Sequence, residues 1–173
     1  MKSKVLAVVP AYNEEENIKQ VVESIYATNE EIDVVVINDG SKDDTLEKAK
    51  QTKAYVINLP NQLGIGGAVQ TGMIYATRNN YDIAIQVDGD GQHDPQYIKQ
   101  MVEKIEQEHY DMVIGSRFVQ KTKYQQTFFR MLGIRITSNL IKAITGVKIY
   151  DTTSGFRAVN KDIMKEFAKR VSL

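Results

Sequence analysis

Short, continuous apolar runs alternate along this chain with stretches in which apolar residues return every three or four positions. Residues 5–9 form the first run, too uniformly apolar for a half-exposed strand and therefore expected to be a central strand covered on both faces. Pro10, Ala11, Tyr12 and Asn13 are expected to break it, with Asn13 as a helix cap and Glu16 as its capping-box partner. Ile18, Val21, Val22, Ile25 and Tyr26 then fall at helical spacing, one face of an amphipathic helix. Residues 33–38 predict a second strand ending in Asp39-Gly40-Ser41, after which Ser41 and Asp44 can cap a short helix carrying Leu46 and Ala49. Residues 54–59 predict a third strand. The resulting β-α-β-α-β order implies an open, mostly parallel α/β sheet with helices on both faces and ligands beyond the strands' C-terminal ends.

The second half continues the alternation. Residues 61–68 are a glycine-rich junction leading into a helix that runs to about residue 77. A dinucleotide fingerprint does not fit, because Val69 stands where the third small residue belongs and the unit follows the third strand. Small residues here suit close approach of the helix to the sheet or to a ligand. Residues 83–87 predict a buried strand. Asp94 caps the next helix with Pro95 at its first position, Ile98, Met101, Val102 and Ile105 face the core, and Glu103, Lys104 and Glu106 face solvent. Residues 111–115 predict a fifth strand running into Ser116-Arg117, and residues 118–126 turn polar and irregular, as a mobile loop would. Residues 127–144 predict a helix whose apolar positions cover more than one stripe, interrupted by Arg130 and Arg135. Two readings stand: a core helix with two surface arginines, or an interfacial helix that touches lipid while its arginines hold a phosphate. Asp151 to Arg157 reads as a polar turn before a last amphipathic helix with Ile163, Met164 and Phe167.

Composition narrows the function classes. A chain of 173 residues suits one domain with a sizeable core. Its formal net charge is zero with acids and bases interspersed, so nothing points to a nucleic-acid partner. There is no cysteine, which removes disulfides, thiolate metal sites and thiol nucleophiles. No stretch reaches the roughly 18 apolar residues of a membrane span, and Pro10 cuts the first run short of a signal peptide's core. A cytoplasmic protein with at most peripheral membrane contact is expected.

The chemistry concentrates in Asp88-Gly89-Asp90-Gly91-Gln92-His93. Two carboxylates separated by one glycine at a strand exit can reach one hard cation, and Gly89 and Gly91 leave the backbone open to a bulky anion. A divalent ion held by so few protein ligands shares its other positions with water and phosphate oxygens, so a metal-bound diphosphate is the natural guest. An EF-hand is excluded, because His93 and Lys99 occupy its glycine and glutamate positions. Asp-Gly pairs also make ordinary turns. What favours the ion-binding reading is a second acidic strand end at Asp39.

Taken together, Val8-Val9-Pro10-Ala11-Tyr12-Asn13-Glu14-Glu15, Asn38-Asp39-Gly40-Ser41, Asp88 to His93 and Thr153-Ser154-Gly155-Phe156-Arg157 make the chain closely similar to family 2 inverting glycosyltransferases. Within that family it looks most like the dolichyl or polyprenyl phosphate sugar synthases of cell envelope biosynthesis. The resemblance implies the GT-A fold and transfer from a UDP- or GDP-sugar to a lipid phosphate at the cytoplasmic membrane face. By the same likeness Pro10, Tyr12 and Glu14 lie beside the nucleoside, Ile37 and Asp39 hold the base or ribose, and Asp88, Gly89 and Arg117 line the diphosphate. Asp88, Asp90 and Gln92 are implied ligands of Mg2+ or Mn2+. Asp90 and Arg117 are implied in catalysis, Arg130 and Arg135 face the acceptor phosphate, and Asp151 is the fallback base if the acceptor is a hydroxyl. Two departures accompany this. No tryptophan is present, so the Gln-x-x-Arg-Trp motif of processive synthases is absent. Residues 1–173 are expected to form one catalytic domain without the C-terminal closing segment or membrane helices seen in relatives. The alternatives are saccharide-hydroxyl transfer in surface polysaccharide synthesis and a truncated, inactive nucleotide-sugar binding module acting through a partner subunit; a homo-oligomer or a membrane partner subunit is among the expected partners.

Overall fold

The computed structural model describes residues 3–115 and 154–169. The described elements are β1 (Val5–Ala11), α1 (Ile18–Thr28), β2 (Asp33–Asn38), α2 (Thr45–Lys50), β3 (Tyr55–Asn58), α3 (Gly64–Arg78), β4 (Ile83–Gln86), α4 (Tyr97–Glu108), β5 (Met112–Ile114), β6 (Arg157–Asn160) and α5 (Lys161–Lys169). They build a six-stranded sheet in the order β3-β2-β1-β4-β6-β5. The first four strands are parallel, while β6 runs antiparallel to both β4 and β5.

Why β1 is apolar at every position follows from its place in the middle. Val5, Ala7, Val9 and Ala11 share one core with Ile18, Val22 and Ile25 of α1, Ala49 of α2 and Ile98 and Met101 of α4. Leu6 and Val8 point the other way, into a second core with Ala68, Met73 and Ala76 of α3 and Met164 of α5. A strand buried on both faces cannot alternate with polar residues. Helix α3 lies so close to β1 that a Cβ at Gly72 would overlap the Val8 side chain.

Several sequence expectations need correction. Pro10 does not break β1, which runs to Ala11 and keeps pairing with β2, Pro10 opposite Ile37. Along β1 the backbone of Val8 faces β4, since its carbonyl accepts from Val87, and that of Ala11 faces β2, since its carbonyl accepts from Asp39. Pro10 therefore turns its nitrogen to the β4 side beyond the last pair of that ladder, Val8 with Gln86, where no N–H is required. Asn13 is not a helix cap. It takes a left-handed backbone (φ 55°), and the N-cap of α1 is Asn17, without a side-chain cap bond. Asp44 does stand at the N-cap of α2 but makes no side-chain cap bond, Ser41 is not the cap, and Asp43 Oδ1 accepts from the Thr45 N–H. Asp94 does accept from the Gln96 N–H, but α4 begins at Tyr97 after a turn through Pro95. The end of the expected polar turn at Arg157 is the start of β6.

The expectations for Arg117, Arg130, Arg135 and Asp151, for the loop over 118–126 and for the helix over 127–144 lie outside the described residues. No helix among the described residues is long and apolar enough to cross a membrane.

Candidate active site

The sheet order places a topological switch point between β1, whose chain next goes outward to β2, and β4 on its other side; open α/β sheets bind ligands at such points, outside the strands' C-terminal ends. Four junctions meet at this end of the molecule. Those after β1 and β2 are joined by reciprocal hydrogen bonds. Asn13 N donates to Ser41 Oγ (3.0 Å), Lys42 N to Asn13 Oδ1 (2.9 Å), Glu14 N to Thr45 Oγ1 (2.8 Å), Glu15 N to Asp43 Oδ2 (3.1 Å) and Asp44 N to Glu15 Oε2 (3.0 Å). Burial pushes the Asp43 carboxyl upward, yet the Thr45 hydroxyl, the Thr45 N–H and the Glu15 N–H outweigh it and leave its pKa below the ordinary value. Tyr12 and Glu14, expected beside a nucleoside, sit half-buried on the clasped loop, with Pro10 buried below them.

Asp39 ties the β2 exit to the glycine-rich junction. It is 3% exposed, and its oxygens accept from Leu63 N (2.7 Å) and Gly64 N (2.8 Å), so it satisfies two N–H groups at the start of α3. Ile37 is fully buried in the core under α3, so its side chain supports the cleft from below.

The fourth junction is the acidic loop after β4. Gly89 packs against β1, where a Cβ would come 3.0 Å from the Pro10 carbonyl oxygen and 3.5 Å from Ala11 Cβ. Gly91 takes φ 75°, and Gln92 N donates to Asp90 Oδ1 (3.0 Å), so the chain turns back on itself. That reversal brings His93 Nε2 to 2.8 Å from Asp88 Oδ2, while Gln86 Nε2 donates to Asp88 Oδ1 at 2.9 Å. From the far side, Gly155 comes so close that any Cβ there would overlap the Asp88 carboxylate. The neighbouring Phe156 stacks on the His93 ring, with centroids 5.0 Å apart and an interplanar angle of 16°.

The Ser154 segment is itself anchored. Ser154 Oγ donates to the Gly115 carbonyl (2.6 Å), Phe156 N to Ser154 Oγ (3.2 Å) and Gly115 N to the Phe156 carbonyl (2.8 Å). A cavity of about 780 Å³ opens on the α3 and α5 side of the sheet, with Gln86, Asp88, Gly155 and Arg157 on one wall and Leu63 and Gln70 on another.

Of the expected site residues, the structure thus gathers Pro10, Tyr12, Glu14, Asp39, Asp88, Gly89, Asp90 and Gln92 at one end of the sheet. Among the described residues, no group of three or more His, Cys, Asp or Glu side chains is arranged to hold a metal ion. What is present is an open set of oxygen donors: half-buried Asp88 and Asp90, and exposed Gln92. An oxygen-only set with few protein ligands fits Mg2+ or Mn2+ sharing its shell with phosphates. Sequence reasoning passed over the groups that hold Asp88. Gln86 was detectable as the one polar side chain inside an apolar strand, whereas the contacts of His93 and Gly155 with Asp88 had no local signal.

Comparisons with known proteins agree with this geometry. A family model described as Glycosyl transferase family 2 matches residues 6–167. A polyprenol monophosphomannose synthase from Mycolicibacterium smegmatis is 27% identical over 168 residues, covering 93% of this chain and 63% of that protein. A dolichol-phosphate mannosyltransferase from Pyrococcus furiosus is 31% identical over 173 residues, covering 94% of this chain and 47% of that protein. Among solved structures, glucosyl-3-phosphoglycerate synthase from Mycobacterium tuberculosis in complex with Mn2+, uridine diphosphate and glucosyl-3-phosphoglycerate superposes with a TM-score of 0.70 at 21% identity, covering 93% of this chain and 58% of that one. At that identity the likeness concerns the fold, a GT-A-like α/β sheet. The chain spans less than two thirds of the length of each of these three proteins.

Proposed function

Because the chain belongs to glycosyl transferase family 2, we propose that it is the catalytic domain of an inverting transferase that moves a sugar from a nucleotide diphosphate sugar to a polyprenyl or dolichyl phosphate. The observation that carries the reading is the Asp88-Gly89-Asp90 loop, seated against the β1 exit at the switch point with the Asp88 carboxylate held from three sides. Support for the acceptor comes from the relatives named polyprenol monophosphomannose synthase and dolichol-phosphate mannosyltransferase. Support for a UDP-type donor with a divalent ion comes from the Mn2+ and uridine diphosphate in the mycobacterial synthase structure.

On this reading the clasped loop carrying Tyr12 and Glu14 receives the nucleoside, and Asp39 keeps the start of α3 fixed beside it. Asp88, Asp90 and Gln92 would hold Mg2+ or Mn2+, whose charge offsets that building on the diphosphate as the anomeric C–O bond breaks. Arg117 contributes positive charge to the same oxygens. A phosphate oxygen of the acceptor attacks the anomeric carbon from the face opposite the departing nucleoside diphosphate, so one bond forms, one breaks and the configuration inverts. With a second pKa near 6, such a phosphate is largely ionised at neutral pH, and it needs positioning by Arg130 and Arg135 more than a base. Asp151 is the base only for a hydroxyl acceptor. An isoprenoid acceptor places the reaction at the cytoplasmic membrane face, with peripheral contact.

The test supplies the protein with radiolabelled UDP- and GDP-sugars, polyprenyl phosphate and Mn2+. Label should pass into organic solvent and be released by mild acid. Asp90→Asn should lower the rate by about 100-fold or more, the equivalent of a few kcal/mol of lost charge stabilisation. Label confined to water-soluble glycan would overturn the lipid acceptor, and an unchanged rate in the variant would overturn the role of the acidic pair.

A further inference from the structure

Resting on the metal-binding reading above, we infer that His93 is a positioning residue, which with Phe156 braces the Asp88 carboxylate in a single orientation toward the cation. The His93 side chain is only 4% exposed while that of Asp88 is 29% exposed, so the imidazole is committed to the interior and the carboxylate stands at the boundary with solvent. A buried ring nitrogen needs a polar partner, and Asp88 Oδ2 lies 2.8 Å from Nε2. An ionised carboxylate can only accept, so Nε2 carries the proton and donates. Gln86 Nε2 donates to the other oxygen, and Gly155 leaves no room for the carboxylate to swing toward β6. These two donors and this wall restrict the carboxylate to one orientation at the boundary with solvent.

The ring itself is fixed by Phe156, stacked at 5.0 Å, and Phe156 is tied through Ser154 to Gly115. Groups arranged this way around metal ligands set their direction, and their loss typically weakens metal affinity about 10- to 100-fold. Two substitutions separate the donor from the ring. His93→Phe keeps a ring for Phe156 and removes the donor. His93→Gln places an amide N–H near the position of Nε2 and removes the ring.

The experiment titrates Mn2+ with UDP present, reading free Mn2+ by electron paramagnetic resonance, on wild type, both His93 variants and Asp90→Asn, with melting temperatures measured without metal. His93→Phe should bind Mn2+ about 10- to 100-fold more weakly than wild type. His93→Gln should recover most of that loss even where its melting temperature is the lower of the two. Ring 15N spectra of the metal-free wild type should show Nε2 bearing the proton, a readout that depends on neither variant folding. Wild-type affinity in His93→Phe, or a proton on Nδ1 with Nε2 bare, overturns the inference. The Asp90→Asn arm separates the two levels of claim. If Asp90→Asn loses Mn2+ and His93→Phe does not, only the brace fails; if Asp90→Asn binds like wild type, the metal-binding reading fails, and the brace with it.

Discussion

Asp43 carries no charge partner of its own in the clasp, yet it determines how the two loops answer to acid. Its lowered pKa means that the folded protein binds this proton less tightly than the unfolded chain does. The associated stability is complete above the unfolded value, about 3.9, and is lost as pH falls through the lower folded value. In urea titrations Asp43→Asn should therefore be less stable than wild type at pH 7, and the gap should close below about pH 4. A gap that stays constant across that range would mean that the carboxylate charge contributes nothing to the clasp. At this scale the site was legible only in part. The pair Asp88 and Asp90 announces itself by spacing and by the strand before it. The hold on Asp88 depends on contacts with Gly155, and through Phe156, that sequence separation hides, and the interior position of Asp39 emerges only once Leu63 and Gly64 are folded against it.

For the elements, the close seat of α3 on β1 gives a sharp expectation. Gly72→Ala forces a methyl group into Val8 and should cost about 1–3 kcal/mol, as overpacked cores do. In a Val8→Ala background the γ methyls that it would overlap are gone and only the Cβ, 3.1 Å away, stays close, so the same change should cost less, the more so because alanine's helix propensity is favourable over glycine's by about 1 kcal/mol. A double-mutant cycle by chemical denaturation measures this coupling, and strictly additive costs would show that close approach is not why glycine stands there. The elements themselves were readable where burial is uniform: the continuous runs became β1, β2 and β4, and the Ile18 stripe became α1. Pro10 misled because a proline is costly only where its missing N–H has a partner to lose, and that depends on which neighbour the residue faces. Strand β6 was invisible because Arg157 to Asn160 is short and begins and ends on polar side chains, and its pairing with β4 and β5 supplies what the local pattern lacks.

Across the whole molecule, parallel β1 to β4 send their exits to one end, and antiparallel β6 starts from that same end, so Ser154, Gly155 and Phe156 arrive beside Asp88. The residues gathered around Asp88 thus come from before 116, closed from one side by residues after 153. Gly115 and Ser154, 39 positions apart, are joined directly by a hydrogen bond. A variant with residues 116–153 replaced by a glycine-rich connector of about five residues should still unfold cooperatively, because Gly115 and Ser154 already meet and a shorter connection costs less entropy to close. Loss of cooperative unfolding would show that the sheet relies on the excised stretch. The same adjacency makes that stretch a cassette, plugged in through two neighbouring sockets. On the proposed function, grafting the corresponding piece from a cousin with another recipient, with Arg117 retained, should redirect delivery while leaving the residues around Asp88 in place.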